Sequence, residues 1–331
     1  MTNKQDVLIA GEIQEGQLSQ GTKELLAHGR ALADTLGEEL SLALLAEEVG
    51  DAPKEAIAFG ADKAYVMADP LLKNMPPEAY LGGLEKILTQ YPAKVVLIAK
   101  GPMGSEIAGR LAFRLDTGIA QDCINLRIDS SNKRLIAERP VYGGSCIASV
   151  TCSGDSIVAV VRGKTIEPLE RDDSRKGKIS EITGNLNPSI IQTKITNEVE
   201  EASEGIRLED ASIIVAGGRG LGGPEPFEGE LLALAKALGA PLGASRAVVD
   251  AGWVPYSYQI GLTGKTVTPD LYITIGISGA SQHMAGCSGS KVIVAINKDG
   301  EANIFKDARY GVVGDWKKVL PALTEQVKKL G

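Results

Sequence analysis

The side chains that could do chemistry in this 331-residue sequence gather in glycine- and hydroxyl-rich clusters toward its C-terminal end. The first, Gly218-Arg219-Gly220-Leu221-Gly222-Gly223, has GxGxxG spacing and follows an apolar run. Such a turn can bring backbone N–H groups against a pyrophosphate. Pro224 and Pro226 stand where the crossover helix should run, and no acidic residue is evident about 20 positions on, where a ribose would be held. The spacing therefore reads better as a glycine-rich anion-binding turn, with Arg219 supplying positive charge, than as a conventional dinucleotide fingerprint. The second cluster, Gly243 to Gly252, places Ser245 and Arg246 among small residues. Both could donate to a phosphate or to a flavin ring. Equally, Ser245 could cap a helix with Arg246 on its surface. Gln259 to Val267 is a third cluster, with Thr263 and Gly264 in its turn. In the fourth, Gly276-Ile277-Ser278-Gly279-Ala280-Ser281-Gln282-His283, a buried strand ends in a turn that opens a short helix, a geometry suited to an anionic group. His283 is one of only two histidines; the other, His28, falls in an amphipathic helix and reads as surface.

Composition removes several classes. The 35 Lys and Arg against 42 Asp and Glu leave a net charge of -7, without the basic face a nucleic-acid binder needs. No window is apolar and long enough for a transmembrane helix, so no membrane insertion is expected. The strand-like Val7 to Ala10 begins too early to leave room for a signal peptide before it. Cys123, Cys146, Cys152 and Cys287 have no CxxC spacing, which argues against a metal site and fits a reducing, cytoplasmic setting in a bacterium.

The elements that must position these clusters follow from periodicity. Strands are expected at Val7–Ala10, Leu40–Leu45, Ala64–Met67 and Lys94–Ala99. Helices are expected at Gly21–Leu36, from Pro76-Pro77 through Leu88, and at Gly104–Leu115. Strands joined by helical crossovers imply a doubly wound, mostly parallel α/β sheet. After Asp116, short strands at Cys123–Ile128, Leu135–Arg139, Cys146–Thr151 and Ile157–Val161 suggest an added mixed or antiparallel layer. Lys164 to Gly177 reads as a solvated loop and Ile190 to Val199 as a last strand. A boundary near Ser203–Ile206 divides the chain into 1–204 and 205–331. The second domain is again α/β, with strands at Ser212–Ala216, Leu271–Ile275 and Val292–Ile296, and helices at Glu228–Leu238 and Trp316–Leu330.

Taken together, the clusters resemble the alpha subunit of electron-transfer flavoprotein. The C-terminal likeness rests on Gly243–Gly252, the Gly261–Lys265 turn, Gly276–His283, Val292–Asp299 and Asp307–Asp315. Arg114–Gly118 and Arg139–Gly144 resemble that subunit's N-terminal domain, so the likeness spans essentially the whole chain. The resemblance implies a heterodimer with a beta subunit and one FAD, held mainly by the C-terminal domain. By the same likeness Arg219 and Ser245 lie near the cofactor and Arg246 over its ring. Thr263, in the turn with Gly264, lies near N5 and O4, and His283 approaches O2. Ser278 and Gly279 meet the pyrophosphate, Asn297 and Asp315 hold the adenosine end, and Gln259 is a further contact. Many relatives carry Gln where this chain has Leu262, which removes a potential hydrogen bond near the ring. Positive charge from Arg246, and from His283 if protonated, would favour a negatively charged reduced flavin.

The function this implies is that of an electron carrier rather than a stand-alone enzyme. It would shuttle electrons from dehydrogenases, such as an acyl-CoA dehydrogenase, to a quinone oxidoreductase or a ferredoxin-type acceptor, as in fatty acid beta-oxidation. The beta subunit would then hold AMP. A variant is electron bifurcation, with NADH as donor and a second FAD in the beta subunit. An NAD-dependent dehydrogenase built on the Gly218–Gly223 turn would need a ribose ligand and a catalytic acid or base that the sequence does not display. A nucleotide sensor without flavin is the remaining alternative.

Overall fold

The structure, a computed structural model, describes residues 6–14, 16–142, 146–193 and 206–329. The chain divides into two compact units, Met1–Val141 with Ser145–Glu198, and Tyr142–Gly144 with Val199–Gly331. The boundary expected near 203–206 adjoins a stretch, 194–205, outside the described residues.

The first unit runs β1 (Val7–Gly11), β2 (Ile13–Gln14), β3 (Gln17–Leu18), α1 (Gln20–Leu36), β4 (Leu40–Ala46), α2 (Ala52–Ala58), β5 (Lys63–Ala68), α3 (Pro77–Gln90), β6 (Val95–Ala99) and α4 (Pro102–Arg114). It continues through β7 (Gly118–Cys123), β8 (Asn125–Ile128), β9 (Leu135–Val141), β10 (Cys146–Val150), β11 (Ile157–Val161) and β12 (Lys178–Glu181). Seven strands form a parallel sheet in the order β12-β5-β4-β1-β6-β11-β7. Its centre is apolar on both faces, because α1 and α2 cover one side and α3 and α4 the other. The caps of α1 explain its limits. Ser19 accepts from the Thr22 N–H at its start, and Gly37 takes a left-handed conformation at its end.

Several expectations change in this unit. Ile157–Val161 is not part of an added layer; it lies inside the parallel sheet between β6 and β7, with all five residues buried. Such a run, apolar on both faces, suits a central parallel strand. Of the four short strands expected in that layer, the described residues of β8, β9 and β10 form a separate antiparallel sheet. The strand expected over 123–128 is two strands, β7 ending at Cys123 and β8 starting at Asn125. The charged segment after Lys164 is docked rather than solvated throughout. The Asp172 N–H donates to the Ala58 carbonyl, Arg175 pairs with Asp62 at 3.5 Å, and the chain then adds β12 to the sheet edge. Of the strand expected over Ile190–Val199, Ile190 ends a 3-10 turn begun at Pro188, 191–193 form no regular element, and 194–199 lie outside the described residues.

His28 is buried, not on the surface. The Thr165 hydroxyl donates to the Arg162 carbonyl at 2.9 Å, so it accepts from His28 Nε2, 3.0 Å away. Burial holds the imidazole down to about 4.

The second unit comprises β13 (Ile213–Gly217), α5 (Glu225–Glu228), α6 (Glu230–Ala237), β14 (Leu242–Ser245), α7 (Arg246–Asp250) and β15 (Gln259–Ile260). It ends with β16 (Leu271–Ile275), α8 (Ser281–Met284), β17 (Val292–Asn297), α9 (Ile304–Asp307), β18 (Tyr310–Val313) and α10 (Trp316–Val327). The sheet is parallel throughout, in the order β15-β14-β13-β16-β17-β18. The helix expected over 228–238 is broken at Gly229, between α5 and α6. Winding reverses between β13 and β16, and open α/β sheets bind ligands at the carboxyl ends of strands beside such a reversal.

Two loops meet at that reversal. The Gly218 N–H donates to the Ile275 carbonyl at 2.8 Å, and the Gly220 N–H to the Gly276 carbonyl at 3.0 Å. A Cβ on Gly218 would strike the Gly276 carbonyl oxygen, and Gly276 itself sits at φ 66°. These glycines therefore serve backbone-on-backbone packing. The Leu221 and Gly222 N–H groups turn back onto Gly218 and Arg219. Four of the N–H groups expected to face an anion in this turn are thus spent, two on the loop after β16 and two within the turn.

Two outcomes follow. Gly218→Ala should destabilise the second unit by about 1–3 kcal/mol through overpacking. Gly222→Ala, at φ 90° with open space around its Cβ, should cost only about 1 kcal/mol. Both tryptophans, Trp253 and Trp316, lie in this unit, so denaturation followed by tryptophan fluorescence reads it selectively. Equal losses for the two variants would contradict the packing role. For the first unit, the native His28 resists a proton that the unfolded chain accepts. Stability contributed there is complete above pH 6.5 and falls as pH drops toward about 4. The expected loss by pH 5 is about 2 kcal/mol. His28→Gln should flatten that dependence in the denaturation step seen by circular dichroism but not by tryptophan.

Candidate functional site

A cavity of about 740 Å³ opens at the carboxyl ends of the second sheet, beside the strand-order reversal. That volume falls within the range of small-molecule and cofactor sites. β13 hands it Arg219 and Gly220; β14 and α7 hand it Ser245 and Arg246; β15 and its turn hand it Gln259, Leu262 and Thr263. Gly276, Ile277 and Ser278 reach it from β16, His283 from α8, and Asn297 and Asp299 from β17.

Eight of the eleven expected residues therefore share one cavity: Arg219, Ser245, Arg246, Gln259, Thr263, Ser278, His283 and Asn297. Gly264, Gly279 and Asp315 do not line it. Gly264 closes the Thr263 turn, its N–H donating to the Gly261 carbonyl at 3.0 Å. Gly279, at φ 78°, lets the Ser278 turn press against the backbone of Ile304. Asp315 caps α10 by accepting from the Lys317 N–H at 3.0 Å.

The polar groups divide by what already occupies them. Gln259 Nε2 donates to the Thr263 hydroxyl at 3.1 Å, which leaves that hydroxyl's own hydrogen to point elsewhere. Tyr256 donates to the Thr263 carbonyl and braces the same turn. Asn297 Nδ2 donates to the Ile277 carbonyl at 3.0 Å, and its Oδ1 accepts from the Asp299 N–H, so its amide holds the Ser278 turn in place. Ser245 occupies the position before α7 without making a side-chain capping bond. Arg246 pairs with Asp250 at 3.2 Å along α7 and remains exposed, as the surface-helix reading of this cluster anticipates.

From Ser278 to Gln282, no described residue accepts from the backbone N–H groups. Three of these five residues, Ser278, Ala280 and Gln282, line the cavity, and N–H groups without a protein acceptor suit an anion there. Free N–H donors are thus found in the loop after β16, which packs against the Gly218–Gly223 turn. The fit to FAD is good on these grounds. Unpaired N–H groups suit a diphosphate, Arg219 and Arg246 add positive charge, and the small residues Gly276 and Ala302 leave room beside them.

His283 is buried, with 7% of its surface exposed. Its Nδ1 lies 3.0 Å from the Ile260 carbonyl and its Nε2 3.0 Å from the Tyr272 hydroxyl. A carbonyl only accepts, so Nδ1 carries the hydrogen. Burial lowers the imidazole to about 4, against a smaller upward pull from the Ile260 bond. The residue is neutral near pH 7, so the positive charge of this site comes from the two arginines and not from His283. Burial likewise pushes the Tyr272 phenol well above its usual range.

Sequence reasoning missed Asp250, Gln282, Asp299 and Tyr272. Asp250 stands four residues after Arg246, a spacing that signals an ion pair on a helix. Gln282 contributes its carbonyl, which accepts from the Leu262 N–H at 2.7 Å. Tyr272 has no local signal, because an apolar strand offers any of its inward positions to a tyrosine.

The described helices include none long and apolar enough to cross a membrane. Residues 7–186 match the model of the electron transfer flavoprotein domain, and residues 207–288 that of the electron transfer flavoprotein FAD-binding domain. The chain is 43% identical to electron transfer flavoprotein subunit alpha of Thermoanaerobacterium thermosaccharolyticum over 331 residues, covering 100% of both chains. It is 42% identical to the Bacillus subtilis protein of the same name, over 98% of each chain. Against Protein FixB of Azorhizobium caulinodans it is 40% identical, over 95% of this chain and 86% of that one. With its two units and its cavity at the strand reversal, the chain belongs to the electron transfer flavoprotein alpha-subunit family.

Proposed function

We propose that this chain binds one FAD in the cavity of its second unit and works as the alpha subunit of a heterodimeric electron carrier. The observation that carries the reading is the set of N–H donors without a protein acceptor on Ser278, Ala280 and Gln282, which line one cavity with two arginines. FAD would supply the redox chemistry, taking up and releasing electrons singly. The chain's residues would do the rest. The Ser278 turn, shaped by Gly279 and held by Asn297, receives the diphosphate. Thr263, oriented by Gln259 and the Gly264 turn, offers a hydroxyl hydrogen toward the ring. Arg219, Arg246 and Ser245 supply charge and donors along the same wall, and His283 forms its neutral side. Asp315 supports the adenosine end indirectly, by fixing the start of α10 after β18.

No nucleophile or proton-abstracting side chain is needed for such a carrier. Partners follow from the same reading. A beta subunit holding AMP would complete a shuttle between a donor such as an acyl-CoA dehydrogenase and a quinone oxidoreductase or ferredoxin-type acceptor. A beta subunit holding a second FAD, with NADH as donor, would make the complex bifurcating. The NAD-dependent dehydrogenase reading loses ground, because the Gly218–Gly223 turn spends four of its N–H groups on Ile275, Gly276 and itself.

The test is co-expression with a beta subunit, purification, and a visible spectrum with a flavin-to-protein ratio. One FAD per heterodimer is expected; two would place the second in the partner, and a colourless heterodimer overturns the reading. Arg246→Ala should weaken FAD binding by about tenfold, the loss of one solvent-screened charged donor. Fluorescence titration of the apoprotein with FAD measures it.

A further inference from the structure

We infer that Tyr272 is a positioning residue of this cavity: its phenol O–H, donated to His283 Nε2, holds the imidazole as the Nδ1–H tautomer and anchors the wall that presents Thr263. Three elements are tied by this chain of bonds. Tyr272 lies on β16, His283 on α8, and Ile260 at the end of β15. Ile260 is followed directly by the turn carrying Leu262 and Thr263. The phenol is fully buried, so its hydroxyl cannot turn to water instead.

The direction of each bond follows from the atoms. The Ile260 carbonyl takes the Nδ1 hydrogen, which leaves a lone pair on Nε2 in the neutral ring. Tyr272 has one hydrogen and two neighbours that could take it, His283 Nε2 and the sulfur of Cys287. The Cys287 Sγ points its own hydrogen at the His283 carbonyl, 3.6 Å away, and sulfur is the weaker acceptor. The phenol therefore donates to nitrogen. A doubly protonated ring would have to donate from Nε2 to the Tyr272 oxygen and turn the phenol hydrogen onto the weaker acceptor, Cys287 Sγ; among the described residues no carboxylate bonds to Nε2 to favour that form. The ionisable neighbours are Tyr272 on β16 and Cys287 after α8, with Asp307 of α9 acting on Cys287. Arg246 and Asp250 of α7, and Asp299 after β17, line the same cavity.

Only the consequence for a cofactor rests on the flavin reading. There, His283 would present a neutral edge with both nitrogens committed, and the local charge would be set by Arg219 and Arg246 against Asp250 and Asp299. The tautomer itself can be measured without FAD.

The experiment uses the full chain carrying nitrogen-15-labelled histidine, of which it contains two residues. Long-range proton–nitrogen spectra distinguish Nδ1–H, Nε2–H and doubly protonated rings. The wild-type chain should show His283 as Nδ1–H, with no titration from pH 8 to pH 5. In Tyr272→Phe the neutral ring loses its donor, so its protonation midpoint should rise by about one pH unit or more, a tenfold change in the ionisation constant, with mixed tautomers. His28, in the other unit and the opposite tautomer, should be unchanged and reports that the chain is folded there. A wild-type His283 in the Nε2–H form, or titrating near pH 6.5, overturns the inference even if the variant does not fold. A folded variant with unchanged tautomer and midpoint overturns it as well. A chain that takes up no FAD but keeps the Nδ1–H ring overturns the flavin reading and supports the relay.

Discussion

The second unit depends on one close approach, Gly218 and Gly220 against Gly276. Here the loops after β13 and β16 touch backbone to backbone, without side chains between them. This contact sits where the strand order reverses, so it decides how the two halves of the sheet splay apart. A side chain at Gly218 would push the β16 loop outward, and with it the Ser278 turn and the start of α8. The cavity's shape is therefore set by a contact that belongs to its floor. Glycine spacing that resembles phosphate recognition is here a packing device, and N–H groups without a protein acceptor lie instead in the loop after β16.

Around that floor, polar groups fall into two kinds. Gln259, Asn297, Tyr256 and Tyr272 spend their hydrogen bonds on the protein, each bracing a turn. Arg219, Ser245, Thr263 and the N–H run from Ser278 keep donors that no described residue accepts. Preorganisation of this sort reduces what binding must spend on ordering the site. It also explains the histidine. A buried ring without a contacting carboxylate is cheapest when neutral, and the Tyr272 hydroxyl lets it be neutral with both nitrogens satisfied.

Much of this is legible in the sequence. The strands β1, β4, β5 and β6 and the helices α1, α3 and α4 announce themselves, because central parallel strands are unbroken apolar runs and α1 carries its caps, whereas the seven-residue α2 is too short to show a period. The eight cavity residues are legible as clusters, since each sits near a strand's carboxyl end where glycines and hydroxyls mark the turn. What is hidden depends on tertiary pairing. Ile157–Val161 looks like its hairpin neighbours, and only the pairing with β6 and β7 reveals a core strand. β14 and β15 are four and two residues long, too short to show a period. His28 reads as surface because its partner, Thr165, lies 137 residues away in a charged segment.

Leu262 shows how packing and charge meet at the rim of the cavity. Its backbone is fixed, the N–H bonded to the Gln282 carbonyl, yet its side chain leaves the residue 69% exposed. An apolar side chain on a rigid turn, beside a preorganised polar site, has no role in holding that site together. Its N–H already does the tethering that a polar side chain could otherwise share. What the side chain can do is cover apolar ligand surface and exclude water next to Thr263, where a neutral His283 adds no charge. With less water, each remaining charge counts for more, because the local dielectric falls. Arg246 is the exception, since its pairing with Asp250 and its exposure keep it screened. Its full effect is felt only where a bound ligand displaces that solvent.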